Sequence, residues 1–369
     1  MGDGQRVYTS VEICAGAGGQ AVGLEGAGFE HAALVEIDAY ACATLRLNRP
    51  KWNVIEADVR KFDPAEHLAG QRIDLLAGGV PCPPFSLAGK QLGRDDERDL
   101  FPAMLELVEA IGPSAVMIEN VRGLLQPKFD SYRAEICHRL EELGYVPMEW
   151  RQFSASDFGV PQLRPRSLLV ALKPQYAPHY SVPVPDPQHT PSVGNKLKAS
   201  MRRRGMSTAE ANTWAKKADA ASAIAPTLVG GSKKHGGADL GPTRAKRQWE
   251  LMGVDGHGLA NDDEPATLTG PNGRGPRLTV AQAALLQGFP EKWAFSGGKT
   301  ARYRQVGNAF PPPVAEAVAT QIMAALQAGE RGDEAPEQPV AELPAQRSAP
   351  RTPRRARAPR TEAQPSLPQ

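Results

Sequence analysis

The chain has 369 residues, 41% of them hydrophobic and 23% charged, with a formal net charge of +2. That length is enough for two compact domains and a tail, and no apolar run reaches the roughly 18 residues of a membrane span. The first ten residues lack a signal peptide's apolar segment, and the four cysteines (Cys14, Cys42, Cys82, Cys137) show neither CxxC nor paired spacing, which argues for free thiols in a reducing cytosol and against a disulfide framework or zinc site.

Through residue 172 strand-like and helix-like segments alternate. Strands are predicted at 10–14, 32–36, 54–58, 73–78, 115–119, 146–153 and 167–172. Helices are predicted at 39–47, 100–111 and 132–143, the last with Ile136, Leu140 and Leu143 on one face. This order predicts an α/β fold, a doubly wound and mostly parallel sheet covered on both faces.

From Pro174 to about Pro276 the chain is rich in Pro, Gly, Ser and basic residues and shows little periodicity. Between Lys196 and Glu250 twelve Lys/Arg face four acids, which marks a second, smaller, basic module of irregular structure. Helices follow at 280–287, stopped by Gly288 and Pro290, and at 314–326. Beyond 329 large apolar groups almost vanish, and six arginines lie between Arg347 and Arg360. Such a segment cannot bury enough surface to offset its ordering entropy, so a disordered tail is expected. The expected division is 1–173 with 300–328, then 174–299, then 329–369.

Several strand ends carry residues suited to chemistry. The first ends in Cys14-Ala15-Gly16-Ala17-Gly18-Gly19, whose glycines allow a tight turn and close backbone approach to a ligand. The second ends in Glu36-Ile37-Asp38, where nucleotide folds place an acceptor for ribose hydroxyls. The third ends at Asp58, a candidate partner for an adenine amino group. The absence of GxxxxGK[ST] and the departure from GxGxxG favour an adenosyl cofactor without phosphates. The fourth runs into Gly78-Gly79-Val80-Pro81-Cys82-Pro83-Pro84-Phe85-Ser86. A thiol on a proline-stiffened loop past a strand's carboxyl end reads as a nucleophile, provided its surroundings favour the thiolate. The fifth strand runs into Glu119-Asn120-Val121, so a carboxylate lies at the same sheet end, where partial burial would raise its pKa and make it a proton donor. Gln162, Arg164 and Arg166 alternate before the last strand, so their side chains can share one direction. Gly307-Asn308 ahead of three prolines suggests a shaped loop before the final helix.

Together these segments resemble the bacterial DNA (cytosine-5) methyltransferases over residues 10–172 and 277–325. The likeness rests on the Glu12–Gly19 loop, Glu36, Asp58-Val59, Pro81-Cys82, Glu119-Asn120-Val121 and the QxRxR of Gln162, Arg164 and Arg166. It extends to Arg277-Leu278-Thr279 through Gln287-Gly288-Phe289-Pro290, and to Gly307-Asn308-Ala309. Pro83, Cys14 and Ile37 depart from the family's usual Gln, Phe and aromatic residue.

The resemblance implies the class I S-adenosylmethionine-dependent fold and a target-recognition domain. It implies an S-adenosylmethionine site formed by Cys14, Ala15, Gly16, Ala17, Gly18, Gly19, Glu36, Ile37, Asp58, Val59, Pro81 and Asn308. Cys82 would attack C6 of a flipped-out cytosine, Glu119 would act at N3, Arg166 would contact O2 and Arg164 would position Glu119, with no metal needed. Double-stranded DNA would be held by Ser86, Gln162, Lys233, Lys234, His235 and Arg244, with the reading loop at Thr227–Gly237. The long insert favours DNA over an RNA substrate for an enzyme of this lineage. A monomer is expected, acting alone or beside a cognate restriction endonuclease without a stable complex.

Overall fold

The apolar runs form eight strands in a computed structural model, which describes residues 6–80, 99–230 and 238–335. They are β1 (Tyr8–Ile13), β2 (Phe29–Glu36), β3 (Val54–Glu56), β4 (Leu75–Gly79), β5 (Ala115–Val121), β6 (Val146–Pro147), β7 (Arg151–Ser154) and β8 (Pro165–Leu172). They make one sheet of order β3-β2-β1-β4-β5-β8-β6, with β7 also paired to β8. Strands β1 to β5 run parallel, whereas β8 is antiparallel to β5, β6 and β7. The order reverses direction at β1, leaving a crevice between the carboxyl ends of β1 and β4 where open α/β sheets bind ligands. Because β8 is antiparallel, its amino end lies at that same edge.

Residues 146–153 form β6 and β7 in place of the single predicted strand. Both pair with β8, but between the pairs Pro147↔Ala171 and Arg151↔Leu168 the outer chain advances four residues against three, an extra residue that breaks the ladder.

The first helices are α1 (Gly19–Gly26), α2 (Ala39–Asn48), α3 (Pro64–Leu68), α4 (Phe101–Ile111) and α5 (Asp130–Glu142). In α2 the side chain of Asp38 caps the start, accepting from the N–H groups of Tyr40 and Ala41. The period of two along β5 sets the layers. Val116 and Ile118 join Phe101, Met104 and Leu107 of α4 and Leu140 of α5 on one face. Ala115 and Met117 join Leu24 of α1 on the other, with Val314, Val318 and Ile322 of the final helix. Each such buried Val, Leu, Ile, Met or Phe side chain contributes roughly 1.5–3 kcal/mol.

The segment expected to be irregular contains α6 (Val193–Arg203), α7 (Thr208–Ala221) and α8 (Thr243–Leu251), followed by α9 (Val280–Gln287), which has the predicted limits. Ser207 and Glu210 close a capping box at α7, as Thr279 and Gln282 do at α9. Trp214, Trp249, Leu197, Met201, Leu228 and Leu286 share a third buried cluster, which also takes in Leu34 and Leu45. The chain then forms α10 (Lys299–Asn308) and α11 (Pro312–Arg331). Gly307 and Asn308 thus end a helix and are not the expected loop. Helix α11 passes residue 329, where the tail was expected to begin, and Glu330 accepts from Tyr8 Oη at 2.7 Å. Among the described residues no helix is long and apolar enough to cross a membrane.

Candidate active site

The sheet register builds the site. Gly79 of β4 lies opposite Glu119 of β5, and Val121 lies opposite Arg166 of β8. Glu119 and Arg166 therefore meet at the carboxyl edge, with Arg166 Nε 2.9 Å from Glu119 Oε1 and side-chain exposures of 12% and 13%. A Cβ on Gly79 would lie only 3.0 Å from Glu119 Oε2, so the glycine leaves the carboxyl its space. Burial raises the Glu119 pKa above the ordinary carboxylate range, against the opposing pull of Arg166 and then Arg164. Asn120 donates through Nδ2 to the Val80 carbonyl at 3.3 Å, tying β5 to the start of the Pro81-Cys82 loop. Pro81, Cys82 and Ser86 lie outside the described residues.

The three described thiols are poor nucleophiles. Burial raises the pKa of all three, with Cys42 reaching about 12. Cys14 also has a left-handed backbone with φ 53°, which costs a non-glycine residue about 1–3 kcal/mol.

The same edge carries the adenosyl candidates. Glu36 accepts from the N–H groups of Gly16 at 2.7 Å, Ile37 at 2.9 Å and Asp38 at 2.8 Å, which ties the Cys14–Gly19 loop to the end of β2. Burial raises its pKa, and those three bonds oppose the rise. A Cβ on Gly18 would stand 2.8 Å from Leu45 and 2.9 Å from Trp293, and its φ of 87° is left-handed. Trp293 also donates from Nε1 to the Ala17 carbonyl at 3.1 Å. Ile37 is 67% exposed at this edge, and a Cβ on Gly16 would meet nothing closer than 4.0 Å. Open space over a glycine, beside an apolar side chain and a nearby acid, fits an adenosyl group. Asp58 is held below its usual pKa by Arg60, and Val59 is buried.

Two expectations are corrected. Gln162, expected on DNA, is wholly buried. It accepts from Leu228 N–H at 2.7 Å and donates to Gln287 Oε1 at 2.6 Å. Arg164, expected to position Glu119, is 1% exposed. It donates to the carbonyls of Leu228 at 2.7 Å, Gly307 at 2.8 Å and Ala309 at 2.7 Å, so among the described residues the ion pair to Glu119 comes from Arg166, and Arg164 acts on that carboxyl through its charge. Both side chains turn inward because the chain at 225–228 docks beside them, starting from the Gln162↔Ala225 bridge.

Comparison with known proteins decides the family. The C-5 cytosine-specific DNA methylase family matches residues 8–324. The chain belongs to the C-5 cytosine-specific DNA methylases. It is 55% identical over 320 residues to the Type II methyltransferase M.NaeI of Lentzea aerocolonigenes, covering 86% of this chain and 75% of that one. It is 52% identical over 323 residues to the Type II methyltransferase M.NgoMIV of Neisseria gonorrhoeae, covering 87% and 98%. The solved methyltransferase EhMeth of Entamoeba histolytica shares the fold, with a TM-score of 0.60 at 15% identity over 87% of this chain and 99% of that one.

The methylase is thus a DNA cytosine-5-methyltransferase of the bacterial restriction-modification type. Membership in a methyltransferase family implies S-adenosylmethionine as methyl donor. Asn308 is exposed at the end of α10, and a Cβ on Gly230 would lie 2.3 Å from its Oδ1. Arg244 is exposed on α8, whereas Lys233, Lys234 and His235 lie outside the described residues. Gln287 and Trp293 were missed as individual residues. For Gln287 the available signal was its place in Gln287-Gly288-Phe289-Pro290.

Proposed function

We propose that the methylase modifies C5 of a cytosine flipped out of a specific duplex sequence, through an adduct between Cys82 Sγ and C6. The Cys82 thiolate adds to C6, and the electrons of the C5=C6 bond become available at C5. S-adenosylmethionine supplies an electrophilic methyl group. C5 takes that methyl as the methyl–sulfur bond breaks and S-adenosylhomocysteine leaves. A base then takes the C5 proton, the electrons of that C–H bond re-form C5=C6, and the C6–S bond breaks to return the Cys82 thiolate, with any proton lent at N3 handed back to Glu119. The charge added to the ring is relieved at N3 by the Glu119 carboxyl acting as acid or hydrogen-bond donor, and Arg166 reaches O2 while holding Glu119. The observation that carries this reading is the Glu119–Arg166 pair, with its raised carboxyl, opposite the end of the strand that leads to Cys82.

The adenosyl group lies over the Cys14–Gly19 loop, with Glu36 on the ribose, Ile37 and Asp58-Val59 along the adenine, and Pro81 and Asn308 at the border. Residues 1–173 and 300–328 form the catalytic part, and 174–299 the recognition part. There Arg244, Lys233, Lys234 and His235 meet the duplex, and Ser86 supports the displaced nucleotide. The enzyme works as a monomer in the bacterial cytoplasm, on nucleoid DNA, with any cognate endonuclease acting separately. Cys82→Ser tests the reading: methyl transfer to duplex DNA is lost while duplex binding, followed by gel shift, persists. Retained methylation by a folded Cys82→Ser protein would contradict it.

A further inference from the structure

Three buried side chains form a closed knot that joins two parts of the site. Gln162 Oε1 accepts from Leu228 N–H at 2.7 Å, and Arg164 donates to the Leu228 carbonyl at 2.7 Å, so both polar groups of one residue are gripped. Gln162 Nε2 donates to Gln287 Oε1 at 2.6 Å, and Gln287 Nε2 donates to the Ala309 carbonyl at 2.6 Å. Arg164 closes the circuit on Gly307 and Ala309. Gln162 and Gln287 are fully buried and Arg164 nearly so. Leu228 is two residues before Gly230, and the gap there is too small for a side chain on either partner. A Cβ on Gly307 would stand 2.3 Å from Gly230 N. The far side of the same turn touches the cofactor loop, since a Cβ on Gly19 would meet the Phe310 carbonyl at 2.2 Å.

We propose that Gln287 is a positioning residue that fixes the 228–230 segment and the 307–309 turn to each other, and so sets the fit of both DNA and S-adenosylmethionine. An amide suits the place because one group must accept from Gln162 while the other donates to Ala309. No apolar or singly functional side chain of that length does both. The inference rests on the reading that 228–230 borders the DNA and 307–309 the adenosyl group.

The test is steady-state kinetics on the full chain with duplex DNA and S-adenosylmethionine, comparing wild type, Gln287→Met and Gln162→Met. Gln287→Met is expected to raise KM for both substrates on the order of tenfold, with kcat at saturation nearly unchanged. A structural defect alone would lower the active fraction, and with it the apparent kcat, and leave both KM values in place. Gln162→Met, which frees the Leu228 N–H but leaves the Leu228 carbonyl held by Arg164 and Ala309 held by Gln287 and Arg164, is expected to raise KM for DNA alone. In the double variant the DNA effects should be less than additive, because the two side chains act through one hydrogen bond. If Gln287→Met does not fold, the Gln162→Met split decides by itself. Unchanged KM values, or a rise for only one substrate in Gln287→Met, would overturn the inference. Failure of the wild-type enzyme to saturate with S-adenosylmethionine would instead overturn the cofactor reading.

Discussion

The carboxyl edge of the sheet and the region 174–299 both bury charged groups, but put them to different uses. At the sheet edge Glu119 and Arg166 lie in or beside strand ends, partly reachable from outside, and among the described residues the side chain that pairs with Glu119 is that of Arg166. In the region 174–299, Asp255 is completely buried, and its carboxylate accepts from His257 N–H and Nδ1 at 3.0 Å, Arg277 Nε at 3.1 Å and Asn272 Nδ2 at 3.2 Å. Arg204 likewise donates to the carbonyls of Glu264 and Arg277 and to Gln282 Oε1. A buried charge surrounded by donors or acceptors is a fastener, whereas one left with a raised pKa and an open side is available for chemistry. Burial alone therefore does not mark a catalytic group, and among the described residues the partners each carboxylate has separate Asp255 from Glu119.

That contrast can be broken in graded ways. The largest effect is expected at Glu119. Glu119→Gln should lower kcat by about 10²–10⁴-fold with little change in melting temperature, because the amide cannot give up a proton. The sign with pH follows from its raised pKa. The acid form survives to higher pH than in an ordinary glutamate, so the rate should fall as pH rises through that pKa, and Glu119→Gln should lose this limb of the profile. A folded Glu119→Gln enzyme with the wild-type rate would show that the carboxyl is only a fastener.

Asp255 should behave oppositely, affecting stability first. Burial pushes its pKa up, but the bonds from His257, Asn272 and Arg277 prevail and hold it down at about 2. A carboxylate depressed on folding contributes stability that is present above its unfolded pKa and lost as pH falls through the folded one. For Asp255 that amounts to about 2 kcal/mol, disappearing between about pH 4 and pH 2. Acid unfolding of wild type and Asp255→Asn should therefore converge at low pH. Parallel curves over that window would remove Asp255 from the account. The smallest effect is expected at Arg244, exposed on α8. Arg244→Ala should weaken duplex binding about equally across sequences and flatten the slope of log affinity against log salt by about 1. A changed recognition site would instead assign Arg244 to base reading.

The sheet half was legible because its signals are local. The run Ala115–Ile118 declares a strand buried on both faces, and Thr279 and Gly288 bracket α9 as its cap and stop. Helix α7 was missed because its buried face is Ala211, Trp214, Ala215 and Ala218, and three alanines make a faint stripe. Gly307 read as a loop residue, but it lies in a helix whose missing side chain admits the backbone of Gly230. At the site, the alternation of Gln162, Arg164 and Arg166 was visible, but the inward turn of the first two was not. It depends on the segment at 225–228, more than sixty residues away along the chain. Polar type suggested DNA contact, and long-range docking decided otherwise.

The central claim is that the reaction passes through a bond between Cys82 and cytosine C6. It is tested most directly with a duplex carrying 5-fluorocytosine at the methylated position, established beforehand by bisulfite sequencing of DNA from cells expressing the enzyme. Fluorine replaces the proton that must leave C5, so the adduct should persist after methyl transfer. With S-adenosylmethionine present, peptide mass spectrometry should find the methylated base attached to the peptide containing Cys82, and no adduct with Cys82→Ser. An enzyme that methylates ordinary cytosine at that position but yields no adduct with the fluorinated duplex, or yields one on another residue, would contradict the account.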